Sequence, residues 1–273
     1  MSGYLLCSDV KVKRPYRIKA LGISVYSIEE LAYYIYGYLY FIDADFFDER
    51  LMSFIGGELG MTRLEQKLRK WIADGSDMAQ LLYMIEQESG YYTEAELAPF
   101  RTQLDEMRRE MPSERMKGKA DLMLKNGWVR GAIKVYEEIT AMSPDKGMTP
   151  EFMGTVYYDL GAAYAGLFEY EKALACFEKA WDISRGDDML KCMYMLCLMD
   201  TGLDMPEAVR ENASMEQQYK WSKEFDALRT EVILAGGTQD IEELWQKDSV
   251  RKKAGISSLI RGWKQEYREM IRS

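Results

Sequence analysis

Apolar residues recur along most of the chain at intervals of three or four positions. The clearest stretches cover 31–42, 64–72, 97–107 and 256–270. This spacing places the apolar side chains on one face of an α-helix, whereas a half-buried strand would alternate apolar and polar residues. Only residues 4–18 suit an extended segment or a short hairpin. The pattern therefore predicts an all-α protein.

Short polar motifs predict where several of these helices begin. A Ser, Thr or Asp followed three residues later by Glu can form a capping box at a helix N-terminus. The motifs are Ser27-x-x-Glu30, Thr62-x-x-Glu65, Thr93-x-x-Glu96 and Asp204-x-x-Glu207. Glycine favours the left-handed conformation that ends many helices. The glycines that predict such ends are Gly56, Gly57, Gly75, Gly90, Gly127, Gly186, Gly202, Gly236 and Gly237.

The segment YYDLGAAYAGLFEYEKALACFEKAW predicts two helices of similar length joined by a tight turn. Gly161 and Ala180 lack the side-chain bulk that would keep the two helices apart, and Ala173 does the same one turn into the second helix. Tyr164 and Phe177 fill the remaining space between the helices. One such hairpin buries only part of its apolar surface, so we expect it to stack on another hairpin.

The spacing within this segment resembles the tetratricopeptide repeat. The matching residues are Tyr157-x-x-Leu160-Gly161-x-x-Tyr164 and Ala173-x-x-x-Phe177-x-x-Ala180. The preceding segment resembles a second copy, with Ala120, Met123, Gly127, Ala132, Tyr136 and Pro144 at family positions. A degenerate third copy extends from Met189 to Ser222, with Ala208 in place of Ala173. The chain departs from the family at Arg185, where the repeat has proline, and at Ile139, where it has alanine.

The resemblance implies a right-handed solenoid of helical hairpins, preceded by an N-terminal helical bundle. We expect the bundle in residues 1–111, the repeats in 112–222 and closing helices in 223–273. The last helix, Ile256–Ile271, would cover the apolar end of the stack.

Members of this family usually bind a peptide or helix of another protein in the concave groove formed by the first helices of the repeats. The positions that correspond to this groove are Lys117, Asp121, Leu124, Tyr158, Asp159, Ala162, Ala165, Met193 and Cys197. One branch of the family clamps a C-terminal carboxylate with lysines and asparagines. Asp121 and Asp159 stand where asparagines would be needed, and they would repel a carboxylate. The resemblance therefore implies a protein-interaction module or adaptor without a carboxylate clamp.

The charge distribution favours a basic or mixed-charge protein partner. The net charge is −9, whereas residues 1–20 carry +4 and residues 251–273 carry +5, which leaves −18 for residues 21–250. An acidic body of this kind disfavours nucleic acids and anionic membranes as partners.

Several function classes lack the residues they need. The chain contains no histidine, and its four cysteines form no CxxC pair, so we expect no metal, no cofactor and no catalytic site. Phosphate-binding and nucleophile motifs such as GxGxxG, GxxxxGK[ST] and GxSxG are also missing from the sequence. The longest apolar stretch, 31–42, is too short to cross a membrane. We expect a cytoplasmic protein with reduced cysteines.

Two segments leave an alternative open. Residues 55–71, IGGELGMTRLEQKLRKW, resemble a helix-turn-helix whose second helix is basic, as in peptide-sensing transcriptional regulators that carry such repeats. Against this alternative, Gln66 and Arg69 occupy positions where a recognition helix needs apolar residues. In the tyrosine-rich stretch 31–42, Tyr33, Tyr36 and Tyr40 either pack against the rest of the protein or remain exposed for a partner.

Overall fold

A computed structural model describes residues 12–234 and 255–264. The described chain is mostly α-helical, with consecutive helices packed against each other, which confirms the predicted helical character of the protein. It divides into two compact units between Ser184 and Arg185. Three sequence predictions concern residues outside the described ranges: the extended segment over 4–11, the glycines at 236–237, and the end of the C-terminal helix at 265–271.

The first unit begins with a small β-hairpin. Strand β1, Tyr16–Ile18, pairs antiparallel with β2, Ile23–Val25. Gly22 has a φ of 67° in the turn and its amide donates to the carbonyl of Ile18 at 2.8 Å. The hairpin thus continues seven residues past the predicted end of the extended segment.

Five helices follow and share one hydrophobic core with the hairpin. They are α1 Ile28–Gly37, α2 Glu49–Ser53, α3 Thr62–Ala73, α4 Met78–Ser89 and α5 Glu94–Met107. Two 3-10 turns, Leu39–Phe41 and Ala44–Phe46, and a π-helical turn, Phe54–Glu58, lie between them. The centre of the core is formed by fully buried residues that include Leu31, Ile35, Leu51, Ile55, Leu68, Leu82 and Ile85.

The capping predictions hold for some helices and fail for others. Ser27 accepts a hydrogen bond from the amide of Glu30 at 3.2 Å, and Thr93 forms the full capping box with Glu96. Thr62, by contrast, is the first residue of α3 and not its cap. The prediction at Asp204 is also wrong, because the helix there begins at Glu207 after Pro206. Both motifs contain residue types that can cap a helix, but Met61 and Pro206 occupy the cap positions instead.

The tyrosine-rich stretch packs mostly inside the first unit. The ring of Tyr36 stacks on Tyr92 with centroids 4.4 Å apart. The hydroxyl of Tyr40 donates to a carboxylate oxygen of Glu110 at 2.8 Å. Tyr33 alone of the three tyrosines in question is largely exposed, at 58%. The internal-packing alternative is therefore correct for Tyr36 and Tyr40.

Two helical hairpins complete the first unit at the predicted positions. The first consists of α6, Pro112–Lys125, and α7, Val129–Ala141; the second consists of α8, Pro150–Gly166, and α9, Tyr170–Ser184. Helix α7 packs on α8, so the two pairs are stacked in sequence order. The small and aromatic positions of the pattern are buried: Ala120, Ala132, Tyr136, Gly161, Tyr164, Ala173, Phe177 and Ala180. A Cβ on Gly161 would lie 2.9 Å from the Phe177 ring, which explains the glycine.

Residues 142–149, between the two hairpins, form an ordered turn. Asp145 accepts hydrogen bonds from the amide and the hydroxyl of Ser113 at 2.9 and 2.7 Å, and from the amide of Gly147 at 2.9 Å. The hydrogen bond from the Ser113 hydroxyl is the largest of the interactions that lower the pKa of Asp145. This turn therefore links the start of α6 to the segment that leads into α8.

The second unit contains α10, Asp187–Met199, α11, Glu207–Asn212, and α12, Met215–Leu234, together with a helix over 255–264. Helix α10 packs against both α11 and α12. The predicted third repeat is not a pair of similar helices, because α11 has only six residues. Ser214 and Gln217 form reciprocal side-chain bonds to each other's amides and start α12 instead.

Candidate partner-binding site

An open depression of about 470 Å³ lies where the first helices of the two hairpins meet. Lys117, Asp121 and Leu124 come from α6, and their spacing of four and three residues puts them on one helix face. Asp159 reaches the same depression from α8. The structure thus brings together four of the residues that the repeat resemblance assigned to the groove.

Lys117 joins the two hairpins electrostatically. Its Nζ lies 2.9 Å from Oδ2 of Asp121 on the same helix and 2.7 Å from Oδ2 of Asp159 on α8. The hydroxyl of Tyr136 donates to Oδ1 of Asp121 at 2.6 Å. The side chain of Lys117 is only 17% exposed, so its ammonium group interacts mainly with these carboxylates and little with solvent.

The pKa directions follow from burial and this pairing. Burial lowers the pKa of Lys117, but the hydrogen bonds to Asp159 and Asp121 outweigh it and leave that pKa above its ordinary value. Burial raises the pKa of Asp159, and the charge of Lys117 offsets only part of that rise. Burial, followed by the bond to Asp121, also raises the pKa of the Tyr136 hydroxyl. Lys117 is therefore charged at neutral pH.

The depression is lined by two carboxylates, those of Asp121 and Asp159, and two ammonium groups, those of Lys117 and Lys125. Asp121 and Asp159 retain 46% and 28% of their side-chain exposure, whereas the nearest ammonium group is already bound by both of them. A carboxylate entering the depression would meet these two acidic groups. A guanidinium or ammonium group would instead find acceptor positions on them.

The other groove residues of the second hairpin differ in their exposure. Ala162 is exposed and lies one turn from Asp159 on α8, and Ala165 is partly exposed. Tyr158 is half-buried, and its ring lies 5.6 Å from the ring of Phe177 in α9. Tyr158 therefore contributes to hairpin packing, so replacing it would not test partner binding alone.

Two of the residues predicted to line the groove are buried in the structure. Met193 and Cys197 of α10 have relative exposures of 0% and 9%. The Sγ of Cys197 contacts the carbonyl of Asp204 at 3.8 Å. Buried side chains offer little surface to a partner, and these two residues owe their assignment to the third repeat that did not form as predicted.

Two residues that line the depression, Tyr136 and Lys125, are absent from the predicted groove. Tyr136 belongs to the hairpin core by its repeat position, and its ring is indeed fully buried. The sequence does contain a signal for this contact, because a tyrosine at a buried position usually requires a polar partner for its hydroxyl. Here that partner is Asp121. Lys125, in the last turn of α6, makes the lining mixed in charge.

Two of the four basic residues of α3, the basic helix of the helix-turn-helix alternative, form ion pairs. Lys67 forms an ion pair with Glu88 of α4. Arg69 binds Glu49 and Glu65 at 2.8 and 2.9 Å. Phosphate contacts require cations that are free to replace counterions. The ion pairs therefore engage Lys67 and Arg69, whereas Arg63 and Lys70 of the same helix are exposed.

Within the described ranges, no group of three or more His, Cys, Asp and Glu residues is placed to hold a metal ion. No helix in those ranges is long and apolar enough to span a membrane. Comparison with protein-family models, curated proteins and solved structures gives no match for this chain. The geometry of the α6–α8 depression is consequently the basis for assigning a function.

Proposed function

We propose that this chain is a non-enzymatic protein-interaction module that binds a basic or mixed-charge segment of a partner protein between α6 and α8. The observation that carries the proposal is the convergence of Asp121 and Asp159, from successive hairpins, on Lys117 in an open depression. The acidic charge of residues 21–250 supports the same choice of partner by attracting basic segments over longer distances.

The two carboxylates bind the partner's cation. Lys117 contacts Asp159 through Oδ2, and an ionised carboxylate has about four acceptor positions on its two oxygens. A Lys or Arg of the partner binds the remaining positions without displacing Lys117. Leu124 and Ala162 lie one turn from Asp121 and Asp159 and contact the aliphatic stem of that side chain.

The proposal includes a tetratricopeptide-like superhelix for the hairpins. Two stacked hairpins with buried small and aromatic residues at the repeat positions support it. In such a stack the first helices of successive hairpins line one surface. The depression between α6 and α8 is the part of that surface where charged side chains from both hairpins meet.

A peptide selection tests this function even while the natural partner is unidentified. The full chain is presented with a displayed library of random peptides, and we expect sequences rich in Lys and Arg to be enriched. Loss of one charge-assisted hydrogen bond costs about 1.5–3 kcal/mol, so Asp159→Asn should weaken the selected peptides roughly tenfold or more. The matched control is Glu178→Gln, which makes the same change of charge at an exposed position of α9.

Two results would contradict the proposal. One is enrichment of peptides without basic residues. The other is equal binding of basic peptides by the Asp159→Asn and Glu178→Gln variants, which would place the binding surface elsewhere on the chain.

A further inference from the structure

The first helices of the two hairpins end in the same hydrogen-bonded motif but with different residues at its critical position. At the end of α6, Gly127 has a φ of 75° and the next amide donates to the carbonyl of Met123 at 2.9 Å. At the end of α8, Phe168 has a φ of 62° and the next amide donates to the carbonyl of Tyr164 at 3.0 Å. Glycine is the residue that suits this left-handed position.

Phe168 carries a conformational cost that its own packing does not offset. The left-handed region is strained for a bulky L-residue, whereas glycine adopts it freely. Phe168 is 77% exposed, so its ring gains little from burial. Its ring contact is an edge-on approach to Tyr170, with centroids 6.1 Å apart. Strain that folding does not require is a sign of a functional constraint.

We propose that Phe168 is an anchor that inserts into an apolar cleft with a basic rim on a partner protein. Aromatic side chains that fill a pocket on the partner contribute strongly to binding. The acidic residues Glu169 and Glu171 follow Phe168, and Lys172 is bound to Glu169 at 2.6 Å, so the net charge of these three residues is −1. This acidic surround complements a basic rim and disfavours an anionic membrane as the surface that covers the ring.

The anchor is separate from the α6–α8 depression. Asp159 lies seven residues before the end of α8 at Gly166, which corresponds to roughly 10 Å along the helix axis, and Phe168 follows in the turn. Substitutions at Phe168 therefore leave the carboxylates of the depression in place. The anchor and the depression can be tested independently, and failure of one does not decide the other.

Thermal unfolding of the protein without a partner tests whether the Phe168 ring stabilises the fold. The variant Phe168→Gly should melt at a higher temperature than the parent protein, because glycine relieves the strain and little burial is lost. Gly127→Ala is the matched control in the first hairpin, and it should melt at a lower temperature. A lower melting temperature for Phe168→Gly would show that the ring stabilises the fold, and would overturn the proposal.

Photo-crosslinking then identifies what covers the ring. The crosslinking residue p-benzoylphenylalanine is placed at position 168 in native cells, with position 178 on α9 as the control. The protein captured at 168 is identified, produced separately and titrated against the parent, Phe168→Gly and Glu178→Gln. We expect binding to fall tenfold or more in Phe168→Gly and to be unchanged in Glu178→Gln.

Three outcomes of the crosslinking would refute the anchor. They are no greater capture at 168 than at 178, capture of a second copy of this chain or of lipid, and equal affinity of the captured protein for the parent and Phe168→Gly.

Discussion

Glu86 of α4 should make the stability of the first unit fall as the pH rises. Its side chain is completely buried, and neither carboxyl oxygen has a hydrogen-bond partner among the residues that the structure describes. Burial raises the pKa of Glu86 from its ordinary value of 4.5 to about 8. The folded protein therefore holds a neutral carboxylic acid at pH 7, since an ionised carboxylate would lose its hydration without compensation.

The sign and size of the effect follow from proton binding. Between pH 4.5 and about 8 the folded state retains a proton that the unfolded state releases, so the free energy of unfolding decreases with rising pH. Each tenfold difference in proton affinity corresponds to about 1.4 kcal/mol. The full penalty above pH 8 is then roughly 5 kcal/mol as an upper bound, and any relaxation that hydrates the carboxylate reduces it.

Replacing Glu86 with glutamine removes the ionisation while keeping the side-chain shape. The assay is urea unfolding of the parent and Glu86→Gln at pH 5, 7 and 9, with Glu178→Gln as a control for an exposed glutamate. We expect the stability advantage of Glu86→Gln over the parent to grow by several kcal/mol from pH 5 to pH 9. The control should show no such growth. An advantage of Glu86→Gln that is equal at pH 5 and pH 9 would refute an ionisable, uncompensated carboxyl group in this core.

Two further substitutions test how the first hairpin is held. A Cβ on Gly118 would lie 2.5 Å from the Tyr40 ring, so Gly118→Ala should cost about 1–3 kcal/mol in urea unfolding. Gly166→Ala, where nothing lies near the added atom, is the control, and equal stability of the two variants would contradict the close packing. Tyr136→Phe removes the hydroxyl that binds Asp121 and should cost about 0.5–1.5 kcal/mol; stability above that of the parent would argue against this bond.

The stacked hairpins could be predicted because their contacts are local and leave a clear pattern. Gly161 and Phe177 face each other across one hairpin, and only a glycine fits there, so the sequence carries the geometry directly. The helices at the position of the predicted third repeat could not be predicted in the same way. Its hydrophobic pattern continues, but Ser214 and Gln217 cap a new helix after Asn212, and this local capping overrides the repeat.

The site could be predicted in part. The common face of Lys117 and Asp121 follows from helical spacing alone. The sharing of Lys117 with Asp159 could not be predicted, because it depends on how closely α6 and α8 approach each other in the folded protein. The burial of Glu86 could not be predicted either. Charged residues are rarely buried without a partner, and the sequence around Glu86 resembles an ordinary helix end.

The central claim is that the carboxylates between α6 and α8 bind a cation of the partner, and a double-mutant cycle tests it most directly. A selected basic peptide and its derivative, with the key Lys or Arg replaced by norleucine, are each titrated against the parent and Asp159→Asn. If the two groups are in contact, either change alone should weaken binding roughly tenfold, and the second change should add little, which gives a coupling energy of about 1 kcal/mol or more. Fully additive losses, with a coupling energy near zero, would contradict the account.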